Sequence, residues 1–173
     1  MPREEFERLA WAGQADNPVD NKHRAKALGV TSEDVQVAPG AILRQPEKLQ
    51  IGRNVFIGLY TYLNGEVSIG NNILIGPHCS LSASNHVFNA ETQSFSRSEP
   101  EPIVIGDGSW LAAGCMVTAG VTVGKCNLVC ANAVVTKDTP DYAIMAGTPA
   151  KQVGCIDRDT GAYRWLNPES EIG

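Results

Sequence analysis

A period of six constrains this chain more than any other feature. An aliphatic residue recurs at every sixth place from Ile51 through Ile57, Leu63, Ile69, Ile75 and Leu81, and again from Ile105 through Leu111, Val117, Val123, Val129 and Val135. The fifth place of each unit is mostly small or β-branched, as in Val55, Thr61, Val67, Ile73, Cys79, Ser109, Cys115, Val121 and Ala133. Both places are expected to face a core. Six residues match neither a helical turn nor plain strand alternation, but they suit a short strand and a tight corner, one side of a triangular prism. Glycines at the second place (Gly52, Gly58, Gly70, Gly76, Gly106, Gly124) and asparagines such as Asn54, Asn71 and Asn72 serve the corners. Three sides close a coil, and stacked coils pair strand on strand. The expected fold is all-β, a parallel β-helix of hexapeptide repeats, whose hand the pattern alone does not choose.

The period also divides the chain. Residues 1–34 read as an N-terminal helical cap: a helix over Glu4 to Trp11, a break at Asn17-Pro18, then Asp20 leading into a second helix from Asn21 to Leu28 that Gly29 closes. The β-helix domain spans 35–151. Its first coil, Val37 to Leu43, is followed by a two-residue shift of register at Arg44 to Lys48, with a turn at Pro46. The stretch 87–101, rich in Ser and Glu, interrupts the repeats just after His86 and is too polar for a core, so it reads as a projecting loop. The tail 152–173 lacks the period.

With 43% apolar residues the 173-residue chain can fill one continuous core. No run approaches the ~18 apolar residues of a membrane span, and the start has no signal-peptide core, so a soluble cytoplasmic protein with no membrane partner is expected. A net charge of −5 without a dense Lys/Arg cluster excludes a nucleic-acid footprint. The five cysteines, Cys79, Cys115, Cys126, Cys130 and Cys155, sit mostly in apolar repeat places, which suits reduced thiols. Cys126 and Cys130 are a lone pair without a second pair or a nearby His, so no zinc site is expected. Gly120 to Cys126 imitates a P-loop, but Ala119 stands where the first Gly belongs and Cys126 where Ser or Thr belongs.

Four stretches resemble a known family in order and spacing. They are Ser84-Asn85-His86 before the loop, Pro102 to Trp110 after it, Val134 to Asp138, and Ala146 to Lys151. They are similar to the maltose and galactoside O-acetyltransferase branch of the hexapeptide-repeat acetyltransferases and to its polysaccharide-acetylating relatives, with the repeat pattern matched over about 37–151. Arg24 to Leu28 also resembles the end of that branch's N-terminal helical region. The resemblance implies a left-handed β-helix, acetyl-CoA as co-substrate with no metal required, and a homotrimer with active sites between subunits. Three prisms packed together would also bury exposed strand residues such as Phe56, Tyr60, Tyr62, Leu74 and Met116.

For the site, the resemblance implies His86 as the base that takes a proton from the acceptor, a role an imidazole suits because it titrates near working pH. Direct attack needs no acyl-enzyme, since both substrates lie beside one base. The Ala113 backbone N–H would hold the oxyanion. Ala131 would bond the pantetheine arm, and Thr136, Lys137 and Lys151 would meet the nucleotide end. Trp110 is assigned to the cofactor, with packing at a subunit contact as the other reading. Asn64, Glu66 and Asn85 are the candidate acceptor contacts. Relatives acting on sugars carry an Asn near where Gly58 stands and a loop glutamate with no clear counterpart among Glu91, Glu99 and Glu101, which leaves the acceptor open. A saccharide hydroxyl is favoured, against the amine of a nucleotide-linked amino sugar or a non-catalytic scaffold. The same fold hosts metal-binding carbonic anhydrases, but His23 falls in the cap and His78 at a solvent-facing corner, so no three-histidine set forms around His86. The tail could cap the last coil or reach the adenine end of CoA.

Overall fold

A computed structural model describes residues 15–166. The hexapeptide units fold as short strands that wind into coils. The first coil holds β1 (Val35–Val37), β2 (Ile42–Arg44) and β3 (Gln50–Ile51). The second holds β4 (Val55–Ile57), β5 (Tyr62–Asn64) and β6 (Val67–Ile69). The third runs through β7 (Ile73–Ile75) and β8 (Ser80–Ser82), leaves the prism as an antiparallel hairpin of β9 (Ser84–Asn89) and β10 (Ser94–Pro100), and returns at β11 (Ile103–Ile105). The fourth holds β12 (Trp110–Leu111), β13 (Met116–Val117) and β14 (Thr122–Val123); β15 (Leu128–Val129) and β16 (Val134–Val135) open the fifth.

Three parallel sheets form the faces: β1-β4-β7-β12-β15 the first, β2-β5-β8-β13-β16 the second, and β3-β6-β11-β14 the third. One coil takes eighteen residues, as the pairing of Val55 with Ile73 shows. The first coil takes twenty on the first two faces, Val35 pairing with Val55, and eighteen on the third, Gln50 pairing with Ser68. The two extra residues therefore lie between β2 and β3, where the period predicts its shift. There Gln45 adopts φ +59° and Pro46–Lys48 forms a 3₁₀ turn.

The first and fifth places of the repeat fill the core: Ile57, Leu63, Ile75, Leu81 and Leu111 are fully buried, as are the fifth-place Val55, Val67 and Cys115. Three fifth places in the lower coils are polar and equally buried. Ser109 Oγ donates to Gly124 O at 2.9 Å, Thr139 Oγ1 donates to Asn127 Oδ1 at 2.8 Å, and Asn127 Nδ2 donates to Pro140 O at 2.8 Å. This ladder tolerates burial because each group has a partner. At the corner between the first two faces, left-handed backbone recurs coil after coil at Gly40, Tyr60, His78, Gly114 and Asn132. The Tyr60 ring lies where any Cβ at position 40 would stand, so that corner takes glycine. His78, expected at a solvent-facing corner, stacks on Tyr60 with ring centroids 5.3 Å apart.

The upper end is covered by α1 (Pro18–Ala27). It starts three residues before the expected Asn21, because the Asn17 side chain accepts from the N–H groups of Val19 and Asp20 and Pro18 fits the first helical position. Ala25 is buried against the core, and Arg24 donates to Val37 O at 2.6 Å. The helix expected over Glu4 to Trp11 lies outside the described residues. At the lower end, β17 (Ala143–Gly147) pairs parallel with β15, and β18 (Ala150–Ile156) and β19 (Tyr163–Trp165) extend the same sheet antiparallel. The aperiodic stretch after residue 152 thus continues the first face. The five cysteines are free. Among the described residues no helix is long and apolar enough to cross a membrane.

Candidate active site

The trailing edge of the second face aligns one residue per coil. Arg44 pairs with Asn64, and Asn64 with Ser82, toward which its amide donates at 3.2 Å. In the second coil Gly65, at φ +82°, turns the chain past Glu66 onto the third face. One coil lower, Ser84 instead starts the hairpin, and the base is closed by Glu101 N donating to Ala83 O at 3.0 Å. His86 therefore stands inside β9, paired with Ser98, rather than ahead of a loop. The hairpin is polar and exposed, and an ion pair between Arg97 and Glu99 engages Glu99 within it.

Between the hairpin base and the first two coils lies a cleft of about 700 Å³. His86, Asn64 and Glu66 all line it, together with Arg44, Lys48, Tyr62, Ser82, Ser84 and Ser98. The imidazole is exposed and makes no side-chain hydrogen bond among the described residues, so both ring nitrogens are available. Asn85 does not line the cleft: neighbouring strand residues point to opposite faces. Sequence reasoning missed Arg44, Lys48 and the serines. The only sign of Lys48 was the register shift that carries it, and Arg44 stands just before that shift at the end of β2.

The residues assigned to the cofactor fall into two groups. Ala113 and Ala131 sit exposed at the corner between the first two faces, with Asn132 N donating to Ala113 O at 2.9 Å. Thr148 continues this edge downward by donating to Asn132 O at 3.3 Å, which brings β18 and the exposed Lys151 to its lower end. Thr136 and Lys137 lie instead on the His86 side of the second face, just past β16, two coils below Ser82. Trp110 points outward from the first face, 42% exposed, between Leu74 and Leu128. Inside the prism near Ala113, Cys79 Sγ donates to Ala112 O at 3.2 Å and Cys115 Sγ to Cys130 O at 3.1 Å. The hydrogen bond with Cys79, with burial behind it, pushes the Cys115 thiol far above its ordinary range. No cluster of three or more metal-ligating side chains occurs among the described residues.

A stacked-coil prism with a histidine on a hairpin above a polar cleft defines a class, and the comparisons give its family. No protein-family model matches the chain. It is 31% identical over 139 residues to the galactoside O-acetyltransferase of Escherichia coli K12, covering 79% of this chain and 68% of that protein. A maltose O-acetyltransferase of Clostridium difficile 630 superposes with a TM-score of 0.75 at 22% identity, covering 90% of this chain and 86% of that one. A galactoside acetyltransferase solved in complex with coenzyme A is 26% identical, with a TM-score of 0.57 over 90% of this chain and 80% of that one. The chain belongs to the hexapeptide-repeat acetyltransferases that depend on acetyl-CoA, in the galactoside and maltose O-acetyltransferase branch. Its prism is the left-handed β-helix of that fold.

Proposed function

We propose that the protein moves the acetyl group of acetyl-CoA to a hydroxyl of a saccharide by direct attack, with His86 as general base. The observation that carries this reading is the meeting of His86, Asn64 and Glu66 in one polar cleft. A ring nitrogen of His86 takes the hydroxyl proton as the acceptor oxygen attacks the thioester carbonyl. The tetrahedral oxyanion is held by the Ala113 N–H. Collapse breaks the carbon–sulfur bond, and the proton passes from His86 to the departing CoA sulfur. Asn64 and Glu66 bind acceptor hydroxyls, and Asn85 on the outer side of the hairpin meets a more distant part of the acceptor. Ala131 bonds the pantetheine arm, while Thr136, Lys137 and Lys151 pair with the nucleotide phosphates. No metal enters these steps.

In one chain His86 and Ala113 lie on different edges of the second face, so base and oxyanion donor come together only across two chains. This supports a homotrimer with its active sites between subunits, in which Trp110, in line with Leu74, lies on the covered face beside bound CoA. A cytoplasmic location fits an enzyme that draws on acetyl-CoA. Thiol release from acetyl-CoA over a panel of sugars, amino sugars and nucleotide sugars tests the reading, with His86→Ala in parallel. Acceptor-dependent release that falls by about two to four decades in the variant is expected. Release with amines alone would replace the hydroxyl acceptor. No binding of CoA by calorimetry would leave only a scaffold.

A further inference from the structure

The cleft that holds His86 also holds two cations for which the fold has no use. Arg44 ends β2 in register with Asn64, and Lys48 ends the 3₁₀ turn. Both are exposed and both line the cleft. Among the described residues neither makes an ion pair or a side-chain hydrogen bond, whereas Lys22 pairs with Asp34 at 2.9 Å and Arg97 and Arg164 pair with Glu99 and Asp157. Glu66 is the one carboxylate in the lining, so the cleft is formally positive in a chain of net charge −5.

Arg44 holds a regular strand place, whereas Lys48 is delivered by the irregularity of the first coil. Two residues more than the repeat needs lie between β2 and β3, and Gln45 takes left-handed backbone there, which costs a side chain with a Cβ roughly 1 kcal/mol. Pro46, Glu47 and Lys48 bury nothing in return. A turn that departs from the repeat and adds no core has its product on the outside, and that product is Lys48, set beside Arg44 at the cleft.

We propose that Arg44 and Lys48 select an anionic acceptor, a saccharide carrying a carboxylate or a phosphate; this rests on the acetyl-transfer reading above. Arg44 stands two rungs above Ser82, roughly 10 Å along the prism axis. A sugar with one hydroxyl at His86 sets its anionic substituent against the guanidinium, whose planar fork binds carboxylate or phosphate through two donors, while Lys48 adds a point charge.

The test compares matched acceptors in the thiol-release assay: a hexuronic acid against the parent hexose, and a hexose phosphate against the same hexose. The expected result is a kcat/KM at least about tenfold higher for an anionic member, and the preferred arm identifies carboxylate or phosphate. In the double variant Arg44→Gln, Lys48→Gln, KM for that acceptor should rise about 10- to 100-fold with kcat nearly unchanged and the neutral hexose unaffected. Calorimetry on the CoA-loaded protein reads binding without turnover. Binding of an anionic sugar that the double variant loses supports the proposal even if no thiol is released, in which case the transfer reading is what fails. Equal turnover of neutral and anionic sugars, equal weakening of both by the double variant, or no binding of either anionic sugar at millimolar concentration overturns the proposal and leaves acetyl transfer standing.

Discussion

Gly76 lies directly above the corner to which the oxyanion donor is assigned. A Cβ there would come within 2.8 Å of Ala113 N and 2.9 Å of the Ala112 carbonyl carbon, both backbone atoms that cannot swing aside. Gly76→Ala should therefore displace the Ala113 N–H without touching His86. A displacement near 1 Å at a reacting group costs about 100-fold, so kcat is expected to fall by about that factor while the circular-dichroism spectrum is kept. A variant with wild-type kcat would remove Ala113 from the mechanism. The same logic separates this glycine from the hydrophobic places around it: Ile75 can be exchanged for another aliphatic with modest loss, but the site at 76 has no room for a single carbon.

The turn between β18 and β19 has a carboxylate at its centre. Asp157 accepts from the Thr160 hydroxyl at 2.8 Å and the Thr160 N–H at 2.9 Å, and pairs with Arg164. These hydrogen bonds, the Thr160 hydroxyl foremost, hold its carboxyl below the usual carboxylate range. A carboxyl depressed in the folded state contributes stability that is complete above its unfolded value of about 3.9 and is lost as pH falls through the lower folded value. Acidification into that window should fray β19 before the coils, read as loss of amide protection at Tyr163 to Trp165, and Asp157→Asn should remove the pH dependence. Fraying at the same pH in that variant would exonerate the carboxylate. This turn and the β9–β10 hairpin were also the elements least legible in the sequence. The coils announce themselves because inward places such as Leu63 and Leu81 admit only apolar groups, and the slip at Arg44 to Lys48 shows for the same reason. Ser94–Pro100 pairs through its backbone and is almost wholly exposed, with Phe88 against Phe95 its one aromatic contact, so no burial pattern marks it as a strand. Within the site, His86 is legible from its neighbours Ser84 and Asn85. Arg44 and Lys48 are not, because the direction in which their corner faces exists only after folding.

The three faces of the prism differ in what they show to solvent. The first exposes Leu74 and Trp110 and the second Ile42 and Met116, whereas the third alternates Gln50, Ser68 and Thr122 around Val104. Apolar surface on two adjacent faces suits closure about a threefold axis. Sedimentation should give a trimer, and Trp110→Glu combined with Met116→Glu should give folded monomers without acetyl transfer; a fully active monomer would refute sharing of the site. The hairpin carries a different consequence. From Tyr62 to Val67 is five steps and from Ser80 to Ile103 twenty-three, so the excursion adds eighteen residues, the length of one whole coil. Its two ends meet at the Ala83–Glu101 backbone hydrogen bond beside the Ser84–Pro100 pair, and the coils above and below stay in phase. The scaffold is in effect indifferent to how the hairpin continues beyond the Val87–Arg97 pair, past His86 and its partner Ser98. A hairpin tip of another length or sequence could be spliced there as a cassette, altering what stands over the cleft while His86 and the coils keep their places.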